Sequence, residues 1–262
     1  MLELARYEAR RRRRGTAVLT VLVGVFGLLM VAFYPSMSAS GVDFEAYAES
    51  LPPAVRAAFN IQAFTTVEGF LAVEFYQFVW VLLLGIYVAY AAGAALAGEI
   101  ERGRLDLTLA APVRRRRVLV EKWSSLVAPV LVLTVVIPPV MAVGIAAIDE
   151  TIALDHLVAL HLLAVPYLTA CLSIGLLISV LVSRGDIAQR GAIGAVFGLF
   201  LLDSVSAGTD YELLGALSPT RYFDPTAVLV SGEYDLAGTA VLLAMTGLLL
   251  AISMVVFERR DV

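Results

Sequence analysis

One cysteine, Cys171, and one lysine, Lys122, are all that 262 residues hold of either type. A lone thiol forms no internal disulfide, and no cysteine pair is present to bind a metal or carry redox chemistry. The only histidines, His156 and His161, are five residues apart and share a helix face poorly, which makes them a weak pair of metal ligands. No G-x-x-x-x-G-K-[ST] phosphate loop occurs, so the chain is not expected to hydrolyse a nucleoside triphosphate itself. Charge is scarce, at 16% of residues. It is nearly absent from the long apolar stretches, with Glu74, Glu121, Lys122 and Asp203 at their ends. An ion-coupled carrier would place carboxylates or histidines at mid-membrane. An intramembrane hydrolase would need a Ser–His or His–Glu arrangement at depth. Neither pattern is found.

What the chain has in excess is apolar surface. It is 60% hydrophobic with a mean hydropathy of +0.87, against about 45–50% apolar for a soluble domain. The expected fold is an all-α membrane protein forming a single transmembrane domain over 1–262. Its six spans fall at 16–35, 75–98, 123–148, 157–182, 188–207 and 236–257. The basic start LELARYEARRRRR predicts an interfacial helix over 1–15, with its arginines toward lipid phosphates. A basic start before an apolar run also suits a secretory signal, but the run is long enough to span and Ser38-Ala39-Ser40 is a weak cleavage site.

The basic residues fix the orientation. Six spans with both termini cytoplasmic put Arg6, Arg10 to Arg14, Arg102, Arg104, Arg114 to Arg117, Lys122, Arg184, Arg190, Arg259 and Arg260 inside. That leaves only Arg56 and Arg221 outside. Five or seven spans would strand an arginine cluster on the wrong side. The outer segments are acidic, notably Asp149, Glu150 and Asp155 and the stretch 203–235, whose glycine and proline punctuation suits re-entrant or half helices before the last span.

Within the spans, several patterns carry meaning. Tyr76, Trp80, Tyr87 and Tyr90 recur near one helical stripe, with Leu83 between them, and read as a substrate wall or as an aromatic belt at the membrane interface. Small residues follow at Ala91, Ala94, Ala95 and Gly98, so close packing is expected at the inner end and a lined cavity at the other. Pro129, Pro138 and Pro139 predict a kinked or locally unwound third span. Gly191, Gly194 and Gly198 let two backbones approach, either between two copies of the chain or within one. The loop SRGDIAQR offers a minor second contact for a cytoplasmic partner.

The charged island from Glu99 to Lys122 joins the second and third spans. It reads as a short helix with acids near its start, Leu105, Leu107 and Leu109 as apolar contacts, Pro112 as its end and an arginine run flanking the next span. Its bland reading is a loop whose charges only set topology. The order Glu99, Glu101, Gly103, a Leu-rich turn, Pro112, Arg114 and Lys122 resembles the type-2, export-type permease family of ABC transporters. The phrases LPPAVRAAFNI and LSPTRYFDP resemble the family at corresponding places. The resemblance implies a cytoplasmic coupling helix over 99–117 that contacts an ABC ATPase subunit through Glu99, Glu101, Arg102, Gly103, Arg104, Leu105, Leu107, Pro112 and Arg114. It further implies two ATPase copies carrying the ATP and Mg, no cofactor on this chain, and a second permease copy, with the second and fifth spans lining the dimer interface. Membrane lipid is an expected partner and nucleic acid is not. The cargo is expected to be a hydrophobic or amphipathic drug, lipid or peptide. A non-transporting scaffold or immunity protein on the same fold is the alternative.

Overall fold

The computed structural model describes residues 3–39, 52, 66–105 and 113–260. The phrase at 51–61, Pro52 excepted, lies outside them, as do Leu107, Leu109 and Pro112. Among the described residues the secondary structure is entirely helical. Six helices are long and apolar enough to cross a membrane: α1 (Glu3–Ser38), α2 (Val67–Glu101), α3 (Arg115–Ala146), α4 (Leu154–Leu181), α5 (Gly185–Ser206) and α6 (Leu236–Arg259). The protein is a multi-pass membrane protein, as the hydropathy indicates.

Two helices form the centre. The most apolar windows of α4 and α2 are 78% and 61% buried, against 22% for α6, so the other spans form a shell around this pair. The α4 sequence is apolar on every side, the pattern of a helix with neighbours all round. α2 packs on α4 and α5, α1 lies along α3, and α6 covers α4. Glycines set the closest approaches. A Cβ on Gly175 of α4 would stand 2.1 Å from the Ala89 carbonyl oxygen of α2, and one on Gly93 would stand 2.9 Å from the Ala188 carbonyl oxygen of α5. The backbones touch there only because both side chains are absent.

Three expectations change. The N-terminal basic stretch is no separate interfacial element, because α1 runs unbroken from Glu3 to Ser38. Good helix formers precede Gly15, and Thr16 and Thr20 bond the carbonyls of Arg12 and Thr16 one turn back. In α3 the helix also continues through Pro129, Pro138 and Pro139. Each proline forfeits one ladder bond, but in lipid the rest of the ladder has no competing partner. The irregular span is instead α2, whose residues Ala72–Leu84 form wide π turns. There the Tyr167 hydroxyl donates to the Val81 carbonyl at 2.8 Å, in space left open by Gly85. Before α6, the expected half helices are short turns, Glu212–Leu217, Pro219–Tyr222 and Ala227–Ser231, closed by the left-handed Gly232.

Candidate functional site

The charged ends of all six helices meet on one side of the bundle. α2 ends there at Glu101, with Arg102 as its cap and Gly103 at φ +60°, a backbone turn that favours glycine. The N–H of Gly103 donates to the Ile100 carbonyl at 3.0 Å. Glu99 and Glu101 therefore occupy the last turn of the second span. They do not start a coupling helix, as their acidity suggested. Helix resumes at Arg104 and Leu105, and the sequence beyond them lies outside the described residues. Arg114 caps α3, so Arg115, Arg116 and Arg117 form the first turn of the third span and no part of a helix over 99–117.

The two α2 acids serve other helices. Glu101 Oε2 accepts the backbone N–H of Gly185 at 2.9 Å, placing a carboxylate at the N-terminus of α5, where Arg184 supplies no side-chain cap. Gly185 permits this approach, since its Cβ would stand 3.0 Å from Gly98 Cα. Glu99 Oε1 receives Lys122 Nζ at 2.6 Å, and Glu8 Oε1 of α1 lies 3.5 Å from the same ammonium. Lys122 is only 3% exposed. A buried ammonium needs such carboxylates, since an unpaired charge in low dielectric costs several kcal/mol. One lysine thus joins α1, α2 and α3.

The remaining basic residues close the same end. Arg260 donates to the Val180 and Val182 carbonyls at 2.6 and 3.0 Å, satisfying orphan acceptors where α4 ends. Arg115 donates to the carbonyls of Phe257 and Arg260. Arg116 pairs with Glu258 at 2.7 Å and Arg117 with Glu121 at 2.7 Å. In the SRGDIAQR loop, Arg184 pairs with Asp186 at 3.0 Å.

Of the expected contact residues, the structure leaves Arg102, Gly103, Arg104 and Arg114 exposed at the tip. Leu105 is fully buried within the chain. Glu99 and Glu101 are engaged as described, and Leu107 and Pro112 are outside the described residues.

The aromatic stripe divides. The π turns change the pitch of α2, so the offsets that align four residues on an α-helix do not align them here. Tyr76 and Trp80 are fully buried against His161, with ring centroids 5.3 and 4.8 Å from the imidazole. His161 Nδ1 donates to the Leu157 carbonyl at 2.8 Å. The Tyr76 hydroxyl, Trp80 Nε1 and His161 Nε2 find no hydrogen-bond partner among the described residues. Leu83, Tyr87 and Tyr90 instead face outward, each at least 41% exposed. Tyr87 and Tyr90 border a groove of about 400 Å³ between α1 and α2, which Arg11, Arg12, Arg102 and Arg104 also line. A cavity of about 230 Å³ adjoins it, sharing Arg11, Arg12, Tyr87 and Ala91 and reaching Thr16, Pro129 and Leu172. The groove thus opens on the small-residue half of α2, where close packing was expected. Close packing is present there too, on the faces toward α4 and α5.

Gly191, Gly194 and Gly198 are all exposed on α5. Among the described residues a Cβ on Gly194 or Gly198 would meet nothing within 4 Å, and one on Gly191 would stand 3.3 Å from the Ile178 side chain. Gly194 and Gly198 therefore make no close contact within the described part of the chain.

Sequence reasoning placed Arg260 on this side without its partners, and missed Glu8 and Gly185 as members of this end. Their partners lie 80 or more residues away, and only the solitary lysine marked the spot. A family model described as ABC-2 family transporter protein matches residues 2–262. No curated protein matches the chain.

Proposed function

The chain belongs to the ABC-2 transporter family, and from that premise we propose that it is the membrane permease subunit of an ATP-driven exporter, its arginine-rich end in the cytoplasm. The family is a membrane component and not an ATPase, so ATP and Mg belong to separate ATPase subunits, two of which dock on a pair of permease copies. One observation carries the reading. The tip between α2 and α3 exposes Arg102, Gly103 and Arg104, while its roots are tied to the rest of the bundle by Glu99 to Lys122 and by Glu101 to the α5 N-terminus. A push on that tip is shared by α1, α2, α3 and α5 at once. This is how a motor on one side of a membrane moves spans without entering it.

The cargo is a hydrophobic or amphipathic molecule. The outward faces of α2, at Leu83, Tyr87 and Tyr90, and of α5, at Gly194 and Gly198, are uncovered among the described residues. Both suit a pathway and contact surface completed by a second copy. The exposed rings of Tyr87 and Tyr90 would bind such cargo by dispersion and stacking, beside the arginines of the adjoining groove.

The test uses the buried Cys171, which leaves an Arg104→Cys thiol as the reactive one. In membranes holding the permease and its ATPase, this thiol is expected to crosslink to the ATPase in a nucleotide-dependent way. In liposomes, cargo is expected to stimulate hydrolysis. Labelling of the thiol only from the outer side, or no adduct with the ATPase, overturns the reading. An adduct with hydrolysis indifferent to any cargo supports a non-transporting scaffold instead.

A further inference from the structure

The groove between α1 and α2 borders residues of the ATPase and cargo readings, Arg102, Arg104, Tyr87 and Tyr90, and adds to them a gradient from basic to apolar lining. At the outer rim of the charged end it presents four guanidinium groups, Arg11, Arg12, Arg102 and Arg104, against the carboxylates of Glu8 and Glu99. Both carboxylates are held by Lys122, and Glu8 also lies 3.7 Å from Arg12, which leaves the mouth with more cations than anions. One to three turns deeper the walls become Thr16, Val88, Leu126, Pro129 and Leu172. From Glu99 to Val88 along α2 this is roughly 16 Å at 1.5 Å per residue. A basic mouth passing into an apolar slot over that total distance matches a phospholipid headgroup with the first part of its acyl chains. Arg12 Nε is a buried donor with no acceptor among the described residues, and Glu99 Oε2 is a buried acceptor with no donor. Groups left so on the wall of a basic cavity call for a ligand that bears both anionic oxygens and hydroxyls.

We propose that this groove is a binding site for an anionic glycerophospholipid, its phosphate held by Arg11, Arg12 and Arg102 and its acyl chain lying along Thr16, Ala91 and Pro129. The lipid is a resident of the bundle, distinct from the cargo. Only the assignment to the cytoplasmic leaflet rests on the orientation proposed above. Charge complementarity selects the occupant: a neutral apolar segment would bring no anion to the basic mouth, and a soluble anion would leave the apolar slot empty. Arg13 and Arg14 continue the same basic run but do not line the groove. They provide the control for nonspecific attraction.

The full chain, without its ATPase, is incorporated into nanodiscs of phosphatidylcholine with a minor fraction of phosphatidylglycerol, then released into detergent for native mass spectrometry. Phosphatidylglycerol is expected to be retained at least tenfold over phosphatidylcholine. The double variant Arg11→Gln, Arg12→Gln loses that retention, while Arg13→Gln, Arg14→Gln keeps it. Ala91→Phe fills the space shared by both cavities and abolishes retention with every arginine in place. A thermal melt of each variant confirms folding, and Ala91→Phe carries the test if the arginine variant unfolds. Equal retention of the two lipids, or equal loss in the two arginine variants, overturns the proposal. Displacement of phosphatidylglycerol by millimolar inorganic phosphate identifies a free-anion site and overturns it as well. Because the ATPase is absent, the result is independent of whether the chain transports anything.

Discussion

The two halves of α2 are built on different plans. From Ala72 to Leu84 the helix is wide-turned and aromatic, wrapped around a buried imidazole, with three polar atoms that find no partner among the described residues. From Gly85 to Glu101 it is a regular α-helix of small residues, pressed backbone to backbone against α4 and α5 and finished by two carboxylates that bond other helices. A regular ladder whose terminal carboxylates each bond another helix transmits displacement with little loss. A wide-turned segment with unsatisfied groups has alternatives close in energy and is the place where such a displacement is absorbed.

The sharpest way to break the contrast is to remove the buried charge at the ordered end. Lys122→Ala leaves Glu99 without its cation and Glu8 with only Arg12 beside it, and is expected to cost about 3–5 kcal/mol. The cost is read as a large fall in the thermal midpoint of the purified protein by tryptophan fluorescence. Next in size is Gly175→Ala, whose Cβ collides with the backbone of Ala89, where no side-chain rotation relieves the contact. A loss of about 1–3 kcal/mol in the same assay is expected. Glu101→Gln keeps the shape of the α5 cap but removes its charge. About 1 kcal/mol is expected, together with faster hydrogen exchange at the start of α5. An unchanged exchange rate there would detach α5 from the proposed lever.

The aromatic half should respond in the opposite sense. His161→Leu replaces an imidazole carrying an unpartnered nitrogen with an apolar side chain, and stability is expected to stay within about 1 kcal/mol of the native chain. A loss comparable to that of Lys122→Ala would mean that this half is as strictly determined as the other, and the comparison would fail. The smallest effect belongs to Gly194→Ala. Nothing among the described residues lies within reach of the added methyl, and helix propensity favours alanine by up to about 1 kcal/mol. The single chain should be unharmed, while self-association measured by crosslinking in liposomes falls if α5 meets a second copy there.

The sequence made the spans legible because hydropathy over about twenty residues has few competing explanations, and the sorting of arginines to alternate segments agrees with it. It misdirected at two points. Acids ordinarily favour helix starts, so Glu99 and Glu101 read as the beginning of a new helix. Their true roles are to bind Lys122 and to cap α5, contacts across 23 and 84 positions that no local pattern encodes. Gly103, two residues on, was the visible terminator. The prolines of α3 do not unwind it, because a helix held by lipid and neighbours survives a missing N–H. The wide turns of α2 carry no proline to announce them. They come with packing: a tyrosine hydroxyl from α4 enters at Val81, in the room that Gly85 leaves. Arg102, Gly103 and Arg104, read from the sequence as contact residues, are exposed, whereas Leu105, read the same way, turns inward, as an apolar residue beside a helix junction does when it finds a pocket.

Lys122 has one more consequence, for the bench chemist. The side-chain amine that acylating reagents and lysine-specific proteases seek is sealed at a helix junction and held by two acids. Such reagents should leave the native side chain unmarked and modify it only once the junction has come apart. Reactivity at that single nitrogen is then a direct gauge of whether the bundle is intact, with no label added and no residue exchanged.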